Sequence, residues 1–148
     1  MNCKSCQSNN GTKRISPGCT IYVGKYWLVE HAYPTSLQGW TVIVLMRHCE
    51  EMHKLTNKEF QELAEIQNLL VKALKCIFNS EREYIFCFAE AEGFKHIHFH
   101  VVPKHEDFDD EYSGAKVFHY LKPLPEEVTP KEIIIEVCNR LKNEMTNY

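Results

Sequence analysis

The 148-residue sequence predicts an α+β fold, in which an antiparallel sheet of about five strands packs against one long helix and a C-terminal helix. Three observations carry this prediction. β-branched and aromatic runs recur between turn residues over the first two thirds of the chain. Two stretches with apolar residues at helical spacing each follow the sequence of a capping box. The run His96-Ile97-His98-Phe99-His100-Val101-Val102 alternates imidazole with apolar side chains at the two-residue period of a strand.

Taken in order, Cys19–Val23 and Tyr26–Ala32 flank Gly24-Lys25 and outline a hairpin. Pro34–Gly39 is a loop. The continuous run Thr41–Met46 has the character of a central strand covered on both faces. Thr56-Asn57-Lys58-Glu59 then reads as a capping box. Phe60, Leu63, Ile66, Leu70, Leu74 and Ile77 follow on one face of a helix over Asn57–Phe78. Tyr84–Ala89 and Ile97–Pro103 are two further strands, joined through the acidic turn Glu90–Gly93. Asp107–Gly114 is an acidic loop. Thr129-Pro130-Lys131-Glu132 reads as a second capping box, opening a helix through Ile133, Ile134, Val137 and Leu141.

With 44% hydrophobic and 25% charged residues, positions 1–148 read as a single domain with enough chain for a core. Seventeen basic residues against 20 acidic ones leave a net charge of −3, which excludes global recruitment to a nucleic acid polymer or an anionic membrane. No apolar run reaches the ~20 residues of a membrane span. The segment Met1–Cys6 lacks the apolar core of a signal peptide, so a cytoplasmic chain is expected. Seven cysteines, an odd number, then argue against a disulfide framework. Cys76, Cys87 and Cys138 stand in apolar contexts as small core residues.

Cys3 and Cys6 need a separate account. Cys-x-x-Cys is half of a tetrahedral zinc site, and His48 with one of the clustered histidines would complete it, Cys49 being a competitor to His48. A redox pair is the rival reading, but it calls for a helix N-terminus that the polar leader does not advertise. Zinc on His96, His98 and His100 together is poor geometry, because alternate residues of one strand stand about 7 Å apart. A division of labour among the three fits better.

The run from His96 to Val102, continued by Pro103-Lys104, resembles the H-φ-H-φ-H-φ-φ motif of the histidine-triad (HIT) superfamily, where φ is apolar. Gly39–His48 followed by the long helix is similar to the same family's strand-and-histidine block, and Cys3 and Cys6 resemble its zinc-binding bacterial hydrolases. The resemblance implies a HIT-like fold and a homodimer acting on a small nucleotide. The reaction is hydrolysis or transfer at the α-phosphate of nucleoside 5′-phosphate derivatives, dinucleoside polyphosphates or nucleoside phosphoramidates, through a covalent nucleotidyl-histidine. By position, His98 is the nucleophile and His100 donates hydrogen bonds to the phosphate or leaving group. Gly93, Lys95 and Lys104 join His100 in binding the substrate. Cys3, Cys6, His48 and His96 form a structural Zn²⁺ site that anchors residues 1–18 as a leader.

The chain departs from the family pattern in its nucleotide contacts. Trp40 stands where relatives carry a histidine, and no Asp or Asn sits near Ala32 for the ribose, leaving Glu30 or His31 to take that part. The turn before the triad is acidic, so Lys95, Arg47 or Lys104 would have to offset Glu90 and Glu92. Trp40, Trp27 and Tyr22 read as core, and His53, His105 and His119 as surface. Two other functions are open: a hydrolase whose triad binds catalytic zinc, and a nucleotide-binding module without catalysis.

Overall fold

A computed structural model describes residues 2–147. The elements in chain order are α1 (Lys4–Asn9), β1 (Tyr22–Val23), β2 (Trp27–His31), β3 (Thr41–Leu45), α2 (Asn57–Phe78), β4 (Arg82–Phe86), β5 (His98–Lys104) and α3 (Lys131–Met145). Short 3-10 turns, the longest being Gly114–Leu121, fill the chain between β5 and α3. The five strands form one antiparallel sheet in the order β1-β2-β3-β5-β4, as the alternation predicts.

The period of two divides the sheet's side chains. Trp27, Val29, Ile43, Leu45 and Val101 point to one face, where they are buried together with Leu63, Ile66, Leu70 and Leu74 of α2 and Ile134, Val137 and Leu141 of α3. The capping box at the start of α2 is complete: Glu59 N–H donates to Thr56 Oγ1 (3.1 Å) and Thr56 N–H to Glu59 Oε2 (2.8 Å). The same carboxylate accepts from Arg47 at 2.7 and 3.0 Å. One turn on, Glu62 accepts the backbone N–H groups of Lys25, Tyr26 and Trp27, tying the β1–β2 turn to the helix. α2 ends at Asn79, which takes the left-handed conformation (φ 49°) typical of helix termination.

The other face carries Val42, Val44, His98, His100 and Val102. Beyond it lies a second core in which Trp40 and Val102 are buried with Phe108, Val117 and Tyr120. The two faces therefore have different purposes. One is closed by helices, and the other borders a cavity.

Several expectations are corrected. Cys3 caps a short helix, α1, where the polar leader advertises no helix N-terminus. Strand β4 begins at Arg82 and ends at Phe86, because the chain then leaves the sheet and residues 88–91 wall the cavity. Pro130, not Thr129, precedes α3, and no side-chain cap bond forms there. Phe60 and Cys76 are exposed on the outer side of α2. His105 is buried, stacked on Phe78 with Nε2 donating to the Gln38 carbonyl (2.8 Å). Among the described residues no helix is long and apolar enough to cross a membrane.

Candidate functional site

Strand β5 starts at His98, so His96 lies just outside the sheet on a tight turn closed by its own N–H to the Phe94 carbonyl (2.8 Å). This turn separates the three imidazoles. His96 is fully buried, and its Nε2 donates to the Leu45 carbonyl (2.7 Å). Its Nδ1 faces Cys3 Sγ at 3.4 Å and Cys6 Sγ at 3.5 Å. His48 brings its Nδ1 to 3.5 Å from Cys6 Sγ, while its Nε2 pairs with Glu50 (3.2 Å).

All four ligand atoms lie within 4.8 Å of one another, and no other such group of three or more occurs among the described residues. The fit to a tetrahedral ion can be tested on the distances. Zn–S of ~2.3 Å and Zn–N of ~2.0 Å place tetrahedral S and N ligands about 3.5 Å apart, and three of the four S···N separations here, Cys3–His96, Cys6–His96 and Cys6–His48, are 3.4–3.5 Å. Both histidines present Nδ1 and donate Nε2–H to an oxygen, the second-sphere arrangement that orients metal-bound imidazole. Burial and the Cys3 thiol push Cys6 up to about 11, a penalty on the thiolate that a dication would reverse. Cys49 is not in the group; its thiol contacts the Glu51 carbonyl.

His98 and His100 face the other way, into a cavity of about 690 Å³. His98 Nδ1 donates to the His96 carbonyl at 2.6 Å, which places its proton on Nδ1 and leaves Nε2 as a lone pair. Burial lowers its pKa below the ordinary 6.5. The His100 ring is 5.0 Å from that of His98, stacked on Phe86 and flanked by Phe118. Trp40 Nε1–H donates to His100 Nδ1 (3.0 Å), so the His100 proton sits on Nε2. Burial, with the neighbouring His98 second, holds His100 down to about 3. Neighbouring neutral imidazoles thus present opposite functions, a lone pair beside a donor.

The cavity wall is mostly apolar and aromatic, including Val42, Val44, Phe88, Phe94 and Phe118. Ser5, Ser8 and Asn9 of α1 close one side, so the Cys/His cluster and the cavity share an element. Glu30 and His31 border the cavity but are occupied. Glu30 accepts from Arg14 (2.8 and 3.1 Å) and Thr20 (2.7 Å). His31 Nδ1 donates to the Ala32 carbonyl (2.7 Å), and its Nε2 accepts from Gly39 N–H (2.9 Å). Both His31 nitrogens are thus taken, and the Glu30 carboxylate already accepts three hydrogen bonds.

The expected cations are elsewhere too. Arg47 is paired with Glu59. Lys104 is held by Asp110 (2.9 Å) and Ser113 (3.1 Å) and does not line the cavity. Gly93 and Lys95 stand on the turn before His96. Their N–H groups carry no hydrogen bond among the described residues, and the Gly93 carbonyl accepts from Lys4 N–H (2.8 Å). The lysine on the cavity wall is Lys122. Neither it nor the Trp40–His100 bond has a signal in local spacing, since both depend on chain segments remote in sequence.

The family model of the HIT domain matches residues 16–107. A search of curated proteins finds no match. Among solved structures, a hypothetical histidine triad nucleotide-binding protein from Sulfolobus tokodaii superposes with a TM-score of 0.73 at 17% identity, covering 98% of this chain and 93% of that one. A Zn-bound histidine triad family protein from Mycobacterium smegmatis gives 0.68 at 17% identity, covering 98% and 94%. The diadenosine triphosphate hydrolase of Plasmodium falciparum, in complex with Cyclomarin A, gives 0.63 at 14% identity, covering 86% and 76%. These likenesses establish the fold. The matched segment spans more than half of the sequence and takes in His48 and all three histidines of the alternating run, and the chain belongs to the HIT domain family.

Proposed function

We propose that this protein is a nucleotide phosphohydrolase or nucleotidyl transferase. It acts at the α-phosphate of a nucleoside 5′-phosphate derivative, a dinucleoside polyphosphate or a phosphoramidate, with His98 as nucleophile. The observation that carries the reading is the 2.6 Å bond from His98 Nδ1 to the His96 carbonyl, which leaves Nε2 unprotonated at the cavity wall. A buried neutral imidazole is nucleophilic near pH 7 without a metal.

In the first step Nε2 bonds to phosphorus as the bond to the leaving group breaks, its electron pair departing with that group. The positive charge on the imidazole is stabilised through Nδ1–H by the His96 carbonyl. In the second step water attacks phosphorus and the P–N pair returns to Nε2, the water's proton passing to solvent or acceptor. His100 Nε2–H donates to a phosphoryl oxygen and Lys122 supplies positive charge from the cavity wall. Gly93 and Lys95 lie outside that wall, on the turn beside Phe94, and their unbonded N–H groups would join only if the phosphate reaches that turn.

Cys3, Cys6, His48 and His96 would hold Zn²⁺ as a closed structural site. Bound there, zinc would supply a crosslink fixing the leader, residues 1–18, against the triad. A homodimer is part of this reading, supported by exposed Ile85 on the edge strand β4. So is a cytoplasmic setting, supported by seven free thiols.

The test is turnover of diadenosine polyphosphates and adenosine phosphoramidate by the wild type and by His98→Ala. Mononucleotide release should fall at least about 10³-fold in the variant. Equal release by both proteins refutes the assignment of His98.

A further inference from the structure

Trp40 is buried to 0% exposure, its ring edge-on to Phe86 and His100, and its indole N–H points at His100 Nδ1. An indole nitrogen can only donate. A proton on His100 Nδ1 would therefore set donor against donor inside the core, which costs a buried unsatisfied group. The bond thus excludes both the Nδ1–H tautomer and the imidazolium. The depressed basicity of His100 agrees with the second exclusion.

The consequence is chemical. A neutral imidazole with its proton on Nε2 donates a hydrogen bond, but giving that proton away would leave an imidazolate. His100 can steady developing negative charge and cannot act as a general acid. A phosphate leaving group departs as an anion and requires no proton. An amine leaving group must be protonated on nitrogen as the P–N bond breaks.

Resting on the reading of His98 as a nucleophile toward phosphorus, we propose that Trp40 is a positioning residue that locks His100 as a neutral Nε2–H donor, and that this lock makes phosphoanhydrides the substrate class in preference to phosphoramidates. In the reaction, His98 Nε2 forms a bond to the α-phosphorus and the P–O bond to the outgoing phosphate breaks. The electron pair leaves on that oxygen, whose charge is met by His100 Nε2–H.

The experiment compares the wild type with a protein carrying benzothienylalanine at position 40, which keeps the shape of the indole and removes the N–H. Nitrogen NMR of the imidazoles should show His100 protonated at Nε2 and bare at Nδ1 in the wild type, with loss of that fixed pattern in the variant. Wild-type kcat/KM should favour diadenosine polyphosphate over adenosine phosphoramidate by about 10²-fold or more, the usual worth of a missing general acid. In the variant that ratio should narrow about tenfold through kcat, with KM unchanged, because His100 stays neutral in its buried setting but loses the fixed Nε2–H that meets the charge on the outgoing phosphate, so anhydride turnover falls.

A wild type that cleaves the phosphoramidate as well as or better than the anhydride, with His98 still required, overturns this proposal and leaves the nucleophile assignment standing. Identical His100 spectra in the two proteins overturn the lock. Turnover of neither substrate overturns the nucleophile reading and the leaving-group preference together, while the spectra still decide the tautomer.

Discussion

His31 makes stability depend on pH in a way that can be worked out from its surroundings. The side chain is 1% exposed, and both ring nitrogens are engaged by backbone, Nδ1 donating to Ala32 and Nε2 accepting from Gly39. A second proton would have to enter at Nε2, facing the Gly39 N–H. Burial accordingly lowers the pKa from 6.5 to about 4, against the opposing pull of the Ala32 carbonyl. Between these two values the unfolded chain binds a proton that the folded chain refuses, so stability is complete above 6.5 and is lost as pH falls toward 4.

The full loss is about 3 kcal/mol, of which about 2 kcal/mol falls between pH 7 and pH 5. His100, His98 and His96 are lowered as well and act in the same direction, so the wild type alone cannot isolate one residue. Glu59, the buried carboxylate whose pKa lies below its ordinary 4.5, titrates under this window. His31→Gln supplies the comparison, since an amide can donate to Ala32 and accept from Gly39 but does not titrate. Denaturant unfolding at pH 7, 6 and 5 should show the wild type losing about 2 kcal/mol more than the variant. Parallel losses, or a His31 ring resonance that titrates near 6.5, would refute the argument.

Two further outcomes follow from packing and ligation. Zinc at one equivalent should bind through Cys3, Cys6, His48 and His96, and chelation should lower Tm by roughly 5–10 °C, the effect of about 2.7 kcal/mol of ligand stabilisation on a domain of this size; a Tm indifferent to both zinc and chelator counts against the site. Gly39→Ala should destabilise by about 2–4 kcal/mol, because φ is +86° and a Cβ would lie 2.7 Å from Phe78 Cε2 and 2.9 Å from Pro103 Cγ; a variant with the wild-type denaturation midpoint would show that the strand-entry loop yields more readily than this geometry allows.

The sheet and α2 were legible because each rests on a local period. The continuous β-branched run Thr41–Leu45, the alternation of His98–Val102 and the apolar spacing from Leu63 to Leu74 are written into neighbouring residues. The Cys/His cluster was legible in part from ligand chemistry, which restricts the residue types that can converge, but the choice of His48 and His96 came from the family resemblance. What lay beyond reach depends on contacts distant in sequence. His105 is buried because Phe78 comes back across it, and Lys104 leaves the site because Asp110 reaches it first. Glu30 and His31 offered the right atoms for a ribose, but Arg14 and Thr20 already bond the carboxylate and Ala32 and Gly39 take both imidazole nitrogens. Period predicts where a side chain points and is silent on what is already waiting there.

The three imidazoles of one short run show how far that silence extends. They are chemically identical in sequence, and their fates are decided by which nitrogen the surrounding chain takes. At His96 the Leu45 carbonyl takes Nε2, so Nδ1 turns to the thiols. At His98 the His96 carbonyl takes Nδ1, so Nε2 faces the cavity as a lone pair. At His100 a donor, Trp40, takes Nδ1, and Nε2 faces the same cavity as a proton. The carbonyl that fixes the His98 tautomer belongs to the residue whose ring faces the thiols, so the cluster and the proposed nucleophile share one backbone unit. A displacement of His96 on losing its contacts with Cys3 and Cys6 would move the acceptor of His98 directly, without any signal having to cross the sheet. The metal and phosphate chemistry we propose would thus fall on opposite sides of a single turn, with the hydrogen bonds to the far nitrogens keeping them apart.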